Sequence, residues 1–475
     1  MRTLIQKYLL AQVLVMAPYF LSAQSEVTSY TSSNKTSKIT ISHNGFSNFN
    51  VEMRGKIELT DDDKDIKSIS PDGYLEISKV TFGSRRTLVI TPSENGIKRE
   101  YYEGREKMPF ENEGKKWLGE ILPELVRTTT IAADSRVNRF FKQGGTTAVL
   151  NEIGKLESDY VKSAYANLLM KQNVAAKDYL PIVSQVTGAI SSDHYRTEFL
   201  TGGMSKFLQS KEAMDAVFAA SGKMESDHYK TLVIKEALQK QAPSLEGIKS
   251  ILLATDKMES DHYKTEVLTA LLEKDNLSDA VVGEMINSTK NLESDHYRTI
   301  VLTKALGEPG LSNVSFQRVL ESVKGMDSDH YKTQVLTTLM NSKLTNDLIS
   351  LLLDLSTALS SDHYKTIVIT SMLKKQELTD EGFKKLVVTG SQCESDHYAT
   401  QILTSALQTS NLSSARILAV INAVSNINSD HYMTEVLTRA APKVRGDATL
   451  MEAYRSAAKK INSTTYYGQV LRAID

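Results

Sequence analysis

Ser-Asp-His-Tyr occurs eight times in this 475-residue chain, with its Asp at 193, 227, 261, 295, 329, 362, 396 and 430. Successive copies lie 34 residues apart, except for one step of 33. Eight of the nine histidines belong to these copies, and only His43 does not. A fixed period of this length is the mark of one supersecondary unit copied many times. No unit can bury its own apolar face, so neighbours must stack. One period before the first full copy, Glu157-Ser158-Asp159-Tyr160 repeats the pattern without the His, and Asn462-Ser463-Thr464-Thr465-Tyr466 follows the last. A shortened unit opens at Asp134 and runs into Gly144-Gly145. Terminal copies that differ from internal ones are expected where the end of a stack must face water.

Within a unit the apolar spacing gives two helices. Tyr229, Val233, Ile234, Ala237 and Leu238 recur at three-and-four spacing, which is an amphipathic helix of about four turns. Ser226 precedes it as an N-cap, and Asp227 in the first turn complements the helix dipole. The second helix opens on an apolar-hydroxyl pair, such as Leu277-Ser278, Leu311-Ser312, Leu344-Thr345, Leu378-Thr379 or Leu412-Ser413. Its core side is marked by Ile248, Ile251, Leu252 and then Met258. The period also suits tetratricopeptide repeats, but their recurring Trp, Gly and Pro are missing here. The unit looks more like a short HEAT-type helical repeat. That resemblance, over residues 134–475, implies a right-handed α-solenoid of about ten two-helix repeats in a mostly α chain. Degenerate cap units fall at 134–158, 159–192 and 464–475.

Copies within one chain show which positions the unit holds fixed. The repeated row is Asp193, His194 and Tyr195, Asp227, His228 and Tyr229, Asp261, His262 and Tyr263, Asp295, His296 and Tyr297, then Asp329, His330 and Tyr331. It continues through Asp362, His363 and Tyr364, Asp396, His397 and Tyr398, and Asp430, His431 and Tyr432. The Thr four residues after each Asp is also fixed, from Thr197 to Thr434. As a structural ladder, each Asp would cap a helix and pair with the base three residues on, in a neighbouring unit. Each His would fill the seam between units, so His296→Ala should cost stability. A base stands there in six copies, but Ala399 and Met433 replace it in two. The competing use of eight imidazoles is a metal or small-ligand row. Stacked helices sit about 8–10 Å apart while zinc ligands lie about 2 Å from the ion, so adjacent histidines do not readily share a metal. A third use is pH sensing, because protonated histidines at helix N-termini would oppose the dipoles. Five residues after each Asp the side chain points away from the core and varies: Glu198, Leu232, Glu266, Ile300, Gln334, Ile367, Gln401 and Glu435. A varied outer row beside a fixed frame suits a modular surface for a protein or peptide, and equally a solvated face.

Ahead of the repeats, residues 1–23 carry Arg2 and Lys7, an apolar run from about Leu9 to Leu21, and Ser22-Ala23. That is the order of a secretory signal peptide, too short for a membrane span, and it resembles exported proteins of Gram-negative bacteria. Residues 24–112 read as a small antiparallel β module, with strands expected at Ile39–Ile41, Val51–Leu59, Tyr74–Phe82, Thr87–Ile90 and Lys98–Tyr102. Residues 113–133 form a linking helix. Asp61, Asp63 and Asp65 mimic the start of a calcium loop, but Ile66 stands where the turn Gly belongs, which favours an acidic hairpin turn. With 56 basic and 57 acidic residues, the balance offers no global footprint for nucleic acid. The single Cys393 excludes a disulfide framework and stands at an apolar position of its unit.

No HExxH, GxSxG, phosphate-binding or dinucleotide-binding motif is present, and no cofactor is implied. The sequence therefore points to an exported, non-catalytic scaffold that binds a protein or peptide partner along one solenoid face. The alternatives are an envelope sensor with the β module as input, which resembles extracytoplasmic modules of bacterial envelope-signalling proteins, and a metal- or ligand-binding repeat.

Overall fold

The computed structural model describes residues 26–33, 36–43, 47–410 and 412–474. The segment read as an export signal lies outside the described residues. The chain falls into two compact units, Met1–Gly203 and Met204–Asp475.

In the first unit the strands are β1 (Glu26–Ser33), β2 (Thr36–His43), β3 (Ser47–Arg54), β4 (Ile57–Leu59), β5 (Ile66–Ile69), β6 (Tyr74–Thr81), β7 (Ser84–Ser93), β8 (Gly96–Glu103) and β9 (Glu106–Met108). Seven form one antiparallel sheet in the order β1-β2-β3-β6-β7-β8-β9, and β4-β5 is a separate hairpin. The stretch Val51–Leu59, expected as one strand, is two. Gly55 interrupts it with a φ of 73°, a left-handed conformation that glycine adopts without strain, and sends the chain out into the hairpin. Alternation along the strands buries Phe49, Val51, Leu75, Ile77, Leu88 and Ile90 on one sheet face. Helix α1 (Lys115–Thr128) covers that face with Trp117, Leu118, Ile121, Leu122 and Leu125.

Helix α2 (Ala133–Ile153) breaks at the Gly pair, where Gly145 takes a φ of 62° and ψ of −152°. Asp63, on the β4–β5 turn, receives Arg136 at 2.9 and 3.1 Å and Arg139 at 2.6 Å. Arg136 is itself buried, and it also donates to Glu152 at 2.6 Å and to the Tyr165 hydroxyl. The acidic triplet is thus a hairpin turn clasped to α2, with Asp65 held by the Ile66 N–H at 2.7 Å and by Arg99 at 3.1 Å. Helices α3 (Asp159–Met170) and α4 (Tyr179–Ala189) follow, and α5 (Asp193–Phe207) carries the first full copy of the tetrapeptide.

The second unit continues in pairs: α6 (Lys211–Ser221), α7 (Asp227–Lys240), α8 (Leu245–Asp256), α9 (Asp261–Leu272), α10 (Asp279–Ser288), α11 (Asp295–Ala305), α12 (Asn313–Lys324) and α13 (Asp329–Leu339). Then come α14 (Asn346–Thr357), α15 (Asp362–Lys375), α16 (Asp380–Ser391), α17 (Asp396–Ala406), α18 (Ser414–Ala423), α19 (Asp430–Val444), α20 (Ala448–Ala458) and α21 (Thr464–Ile474). The described chain is therefore mostly helical, with helices in unbroken succession after a small antiparallel sheet. From α7 on, odd-numbered helices pack on odd and even on even, so that two layers build up one unit at a time. Val233, Ile234, Ala237 and Leu238 from the odd layer and Ile251 and Met258 from the even layer are buried between them.

The capping expectations divide. Hydroxyls at the start of the even helices do cap: Ser244, Ser278, Ser312, Thr379 and Ser413 each accept the N–H three residues on. Thr345 does not. Before the odd helices, Ser226 and its equivalents hold extended backbone but make no side-chain cap.

Candidate functional site

From Asp227 to Asp430, the Asp of each copy joins one repeat to the next. In Asp227, Oδ2 accepts the N–H groups of Glu259 and Ser260 at 2.7 and 2.9 Å. Asp295 holds Asp327 and Ser328 at 2.8 and 2.7 Å, and Asp430 holds Asn462 and Ser463 at 3.1 and 2.8 Å. The degenerate unit does the same, with Asp159 receiving Ser191 and Ser192 at 2.9 and 2.7 Å. The carboxylate thus anchors the backbone just ahead of the next unit's odd helix, at the Ser that precedes it and the residue before that Ser. Burial pushes the Asp227 carboxyl upward, but the Ser260 N–H, Lys230 and the Glu259 N–H outweigh it and hold it below the usual carboxylate range.

The paired base lies on the same helix rather than on a neighbour. Asp193–Arg196, Asp227–Lys230 and Asp261–Lys264 are i,i+3 pairs at 3.1, 3.1 and 3.9 Å. Its reach across the seam is to backbone: Lys264 donates to Asn291 O at 2.9 Å, and Arg298 to Gly325 O at 2.7 Å, each at the end of an even helix. Ala399 and Met433, which replace the base, are buried and simply pack.

The histidines do not fill the seam. All eight are exposed, because the second helical position turns its side chain out past the edge of the stack. From His228 to His431, each imidazole rests against the Tyr of its own unit and the Tyr of the next. For His262 the ring centroids are 5.2 Å from Tyr263 and 6.1 Å from Tyr297, and for His330 they are 5.1 Å from Tyr331 and 5.9 Å from Tyr364. From Tyr229 to Tyr466 the contacts run without a break, so a ribbon of alternating phenol and imidazole rings lines the helix N-termini of the second unit. The Tyr rings are half-buried and support it. Tyr263 also brings its hydroxyl to 3.3 Å from His228 Nδ1.

The varied row lies beside this ribbon, one helical turn along. Glu198, Leu232, Ile300, Gln334 and Gln401 are exposed, and Glu266, Ile367 and Glu435 are half-buried. Gln401 Nε2 stands 3.0 Å from His397 Nε2, and Glu266 Oε1 stands 3.5 Å from His262 Nε2. Fixed imidazoles and varied side chains therefore share one surface. A shallow groove of about 310 Å³, lined by His363, Ile367, Thr370, Gln401 and Thr404, runs between two adjacent odd helices on it. The sequence reading missed a second exposed row, acidic in five of the eight copies, two residues before the Asp: Glu225, Glu259, Glu293, Asp327 and Glu394. The same internal alignment that gave the ladder displays it.

Other chemistry is sparse. Among the described residues no group of three or more His, Cys, Asp or Glu is placed to share a metal ion, and no helix is long and apolar enough to cross a membrane. Cys393 is buried, and burial together with the Asp362 carboxylate pushes its thiol up to about 12. A hollow of about 940 Å³ in the first unit lies between β4 and the start of α2. It mixes Lys56, Lys67 and Lys142 with Glu58, Asp61 and Asp134, without a convergent set of donors.

No family model matches the chain, and no curated protein matches it. Among solved structures that do, one is described as "Computational Design of Self-Assembling Cyclic Protein Homooligomers". It is similar over 67% of this chain and 97% of its own, at 11% identity and a TM-score of 0.12. A similarity that low carries no argument, and the class is defined by the fold itself: a helical-repeat protein with a small antiparallel sheet preceding the repeats.

Proposed function

We propose that this protein is an exported, non-catalytic repeat scaffold that binds a protein or peptide partner along the His-Tyr edge and the varied row beside it. In this reading the repeats form a right-handed, HEAT-like α-solenoid of about ten units. Export rests on the charged, apolar, small-residue order of residues 1–23. One observation carries the binding reading. Eight histidines are exposed and identical, while the position one turn away, exposed in five copies and half-buried in three, differs from copy to copy. Asp and Tyr are accounted for by the staple and by packing. An exposed imidazole supplies the stack with only an edge contact, so its repetition calls for another use. The varied row would then give each unit its own preference along a common track.

A photo-crosslinking side chain at Gln334, on this surface, and another at Glu321, on the outer face of an even helix, test the proposal in extracts of the source cells. A defined polypeptide should be captured from position 334 and not from 321. Equal capture at both, or none at 334, would overturn it.

A further inference from the structure

Each repeat is joined by a carboxylate from the one before, so the first joint needs an acceptor from outside the array. In later units the backbone N–H two residues before the Asp belongs to that joint. Ser191 gives it to Asp159, Glu259 to Asp227 and Asp327 to Asp295, at 2.9, 2.7 and 2.8 Å. Glu157 holds the same position ahead of Asp159. One full period before Asp159 stands Leu125, an apolar residue buried against the sheet, with no carboxylate to offer. Asp134, which opens the shortened unit, turns to Asn138 of its own helix at 3.3 Å. The Glu157 N–H goes instead to the carbonyl of Arg127 at 3.1 Å, in the last turn of α1. Carbonyls at a helix end have no partner within the helix, so this one can stand where an Asp oxygen stands elsewhere.

The β4–β5 hairpin adds a second tie. Asp63 at its turn has a φ of 57°, a left-handed conformation uncommon outside glycine, which persists where the surroundings hold it. Both of its carboxylate oxygens are taken by α2, Oδ2 by Arg136 and Oδ1 by Arg139. Arg139 also donates to Thr60 O at 2.8 Å, and Ser135 Oγ to Ile57 O at 3.3 Å. Through Arg136 the contact reaches Glu152, beyond the Gly break, and Tyr165 on α3. On its other side the hairpin is fixed to β8, where Arg99 donates to Ile66 O at 2.8 Å. Polar contacts thus run from the sheet to α2 and α3, all within the first compact unit. Ile57, Leu59 and Ile66 of the hairpin share one apolar core with Leu75 and Leu88 of the sheet and Leu122 of α1.

We infer that the β module and α1 are the N-terminal cap of the repeat array, standing in for a preceding unit, with Asp63–Arg136 as the latch that ties the sheet to α2 and α3. The inference is independent of the binding reading, and it gives the β module a part in holding the array. Repeat arrays need end units that differ from the internal ones and present a polar outer face. The sheet face turned away from α1 carries Glu52, Glu76 and Glu100 in one register row. Without the Asp63 carboxylate, the buried Arg136 charge keeps Glu152 alone as its counter-ion, and the helices that it ties loosen.

Hydrogen exchange of the full chain, read by mass spectrometry, tests this with three variants. Leu75→Ala opens a cavity in the sheet core, and Asp63→Asn takes the charge from the latch. Glu58→Gln, the control, alters a carboxylate of the same hairpin that bonds Ser68. Leu75→Ala and Asp63→Asn should each speed exchange in α2 and α3 by about tenfold or more and leave residues 295–474 unchanged. Glu58→Gln should change neither segment. Should Leu75→Ala fail to fold, Ile77→Val makes a smaller cavity in the same core and should act in the same direction. In the double variant the sheet mutation should add less in α2 and α3 than it does alone, because the latch is already open. Acceleration confined to the sheet in Leu75→Ala, or unchanged α2 and α3 in Asp63→Asn, would overturn the inference. So would equal acceleration through residues 295–474, or effects that add in full.

Discussion

At Asp295 one carboxylate oxygen holds two amides of the next unit, whereas His296 beside it touches two ring edges and faces solvent. Their substitutions should separate sharply. Asp295→Ala takes the charged acceptor from the N–H groups of exposed Asp327 and half-buried Ser328, at about 1–3 kcal/mol. His296→Ala removes one exposed aromatic contact and should cost under about 1 kcal/mol. Urea midpoints of the two variants check this, and a reversed order would mean that the imidazole carries the seam after all. The staple also sets a direction for pH. Because the folded Asp227 carboxyl lies below the usual range, its contribution is present above the ordinary carboxylate range of about 4 and fades as pH falls through the lowered value. The stability difference between parent and Asp227→Asn should therefore shrink between neutral pH and pH about 3. A difference that stays constant would remove the carboxylate from the account.

Two hydroxyl positions that look equivalent in sequence behave differently at the level of the helix. Ser278 caps α10 through the Val281 N–H at 3.4 Å, while Ser294 before α11 makes no side-chain cap and gives its backbone N–H to Asp261 at 2.7 Å. Ser278→Ala should lower stability by about 1 kcal/mol and Ser294→Ala by a few tenths at most, read from thermal midpoints under identical conditions. Periodicity made the helices and their buried sides legible, since Val233, Ile251 and Met258 declare themselves by spacing alone. It placed the Asp-His-Tyr row correctly at helix N-termini. The anchor between units was hidden, because the carboxylate that holds the Ser260 or Ser294 N–H comes from a residue 33 positions earlier and leaves no local trace. The direction of the imidazole was hidden for a similar reason: His and Tyr are adjacent, and only the packing of the next unit decides which ring is sheltered. In the β module, Gly55 broke a run that alternation read as continuous, and the clasp from Asp63 to Arg136 spans too much sequence to be read from either end.

Because each seam within the second unit is made by the same residues, a whole copy should be removable. Deleting residues 295–328 joins Ser294 to Asp329, so the Asp261 carboxylate keeps its partner, the Ser294 N–H, and Asp329 keeps its own, the Ser361 N–H. The new neighbour of α9 is then α13, which offers Tyr331 to His262 where Tyr297 stood. Packing is nearest-neighbour in both layers, so the stability lost should be that of one unit and one interface. The shortened protein should keep the same helicity per residue and unfold cooperatively at a lower urea midpoint. A deletion of similar size shifted by half a unit, residues 279–312, removes one even and one odd helix but still preserves the register, and should behave alike. Removing a single helix, residues 311–327, reverses the order of layers for everything that follows and should leave a chain that does not fold cooperatively. Circular dichroism with urea titration distinguishes these outcomes. Collapse of the whole-unit deletion would show that the units are not interchangeable, and the common track proposed for the partner would lose its structural basis.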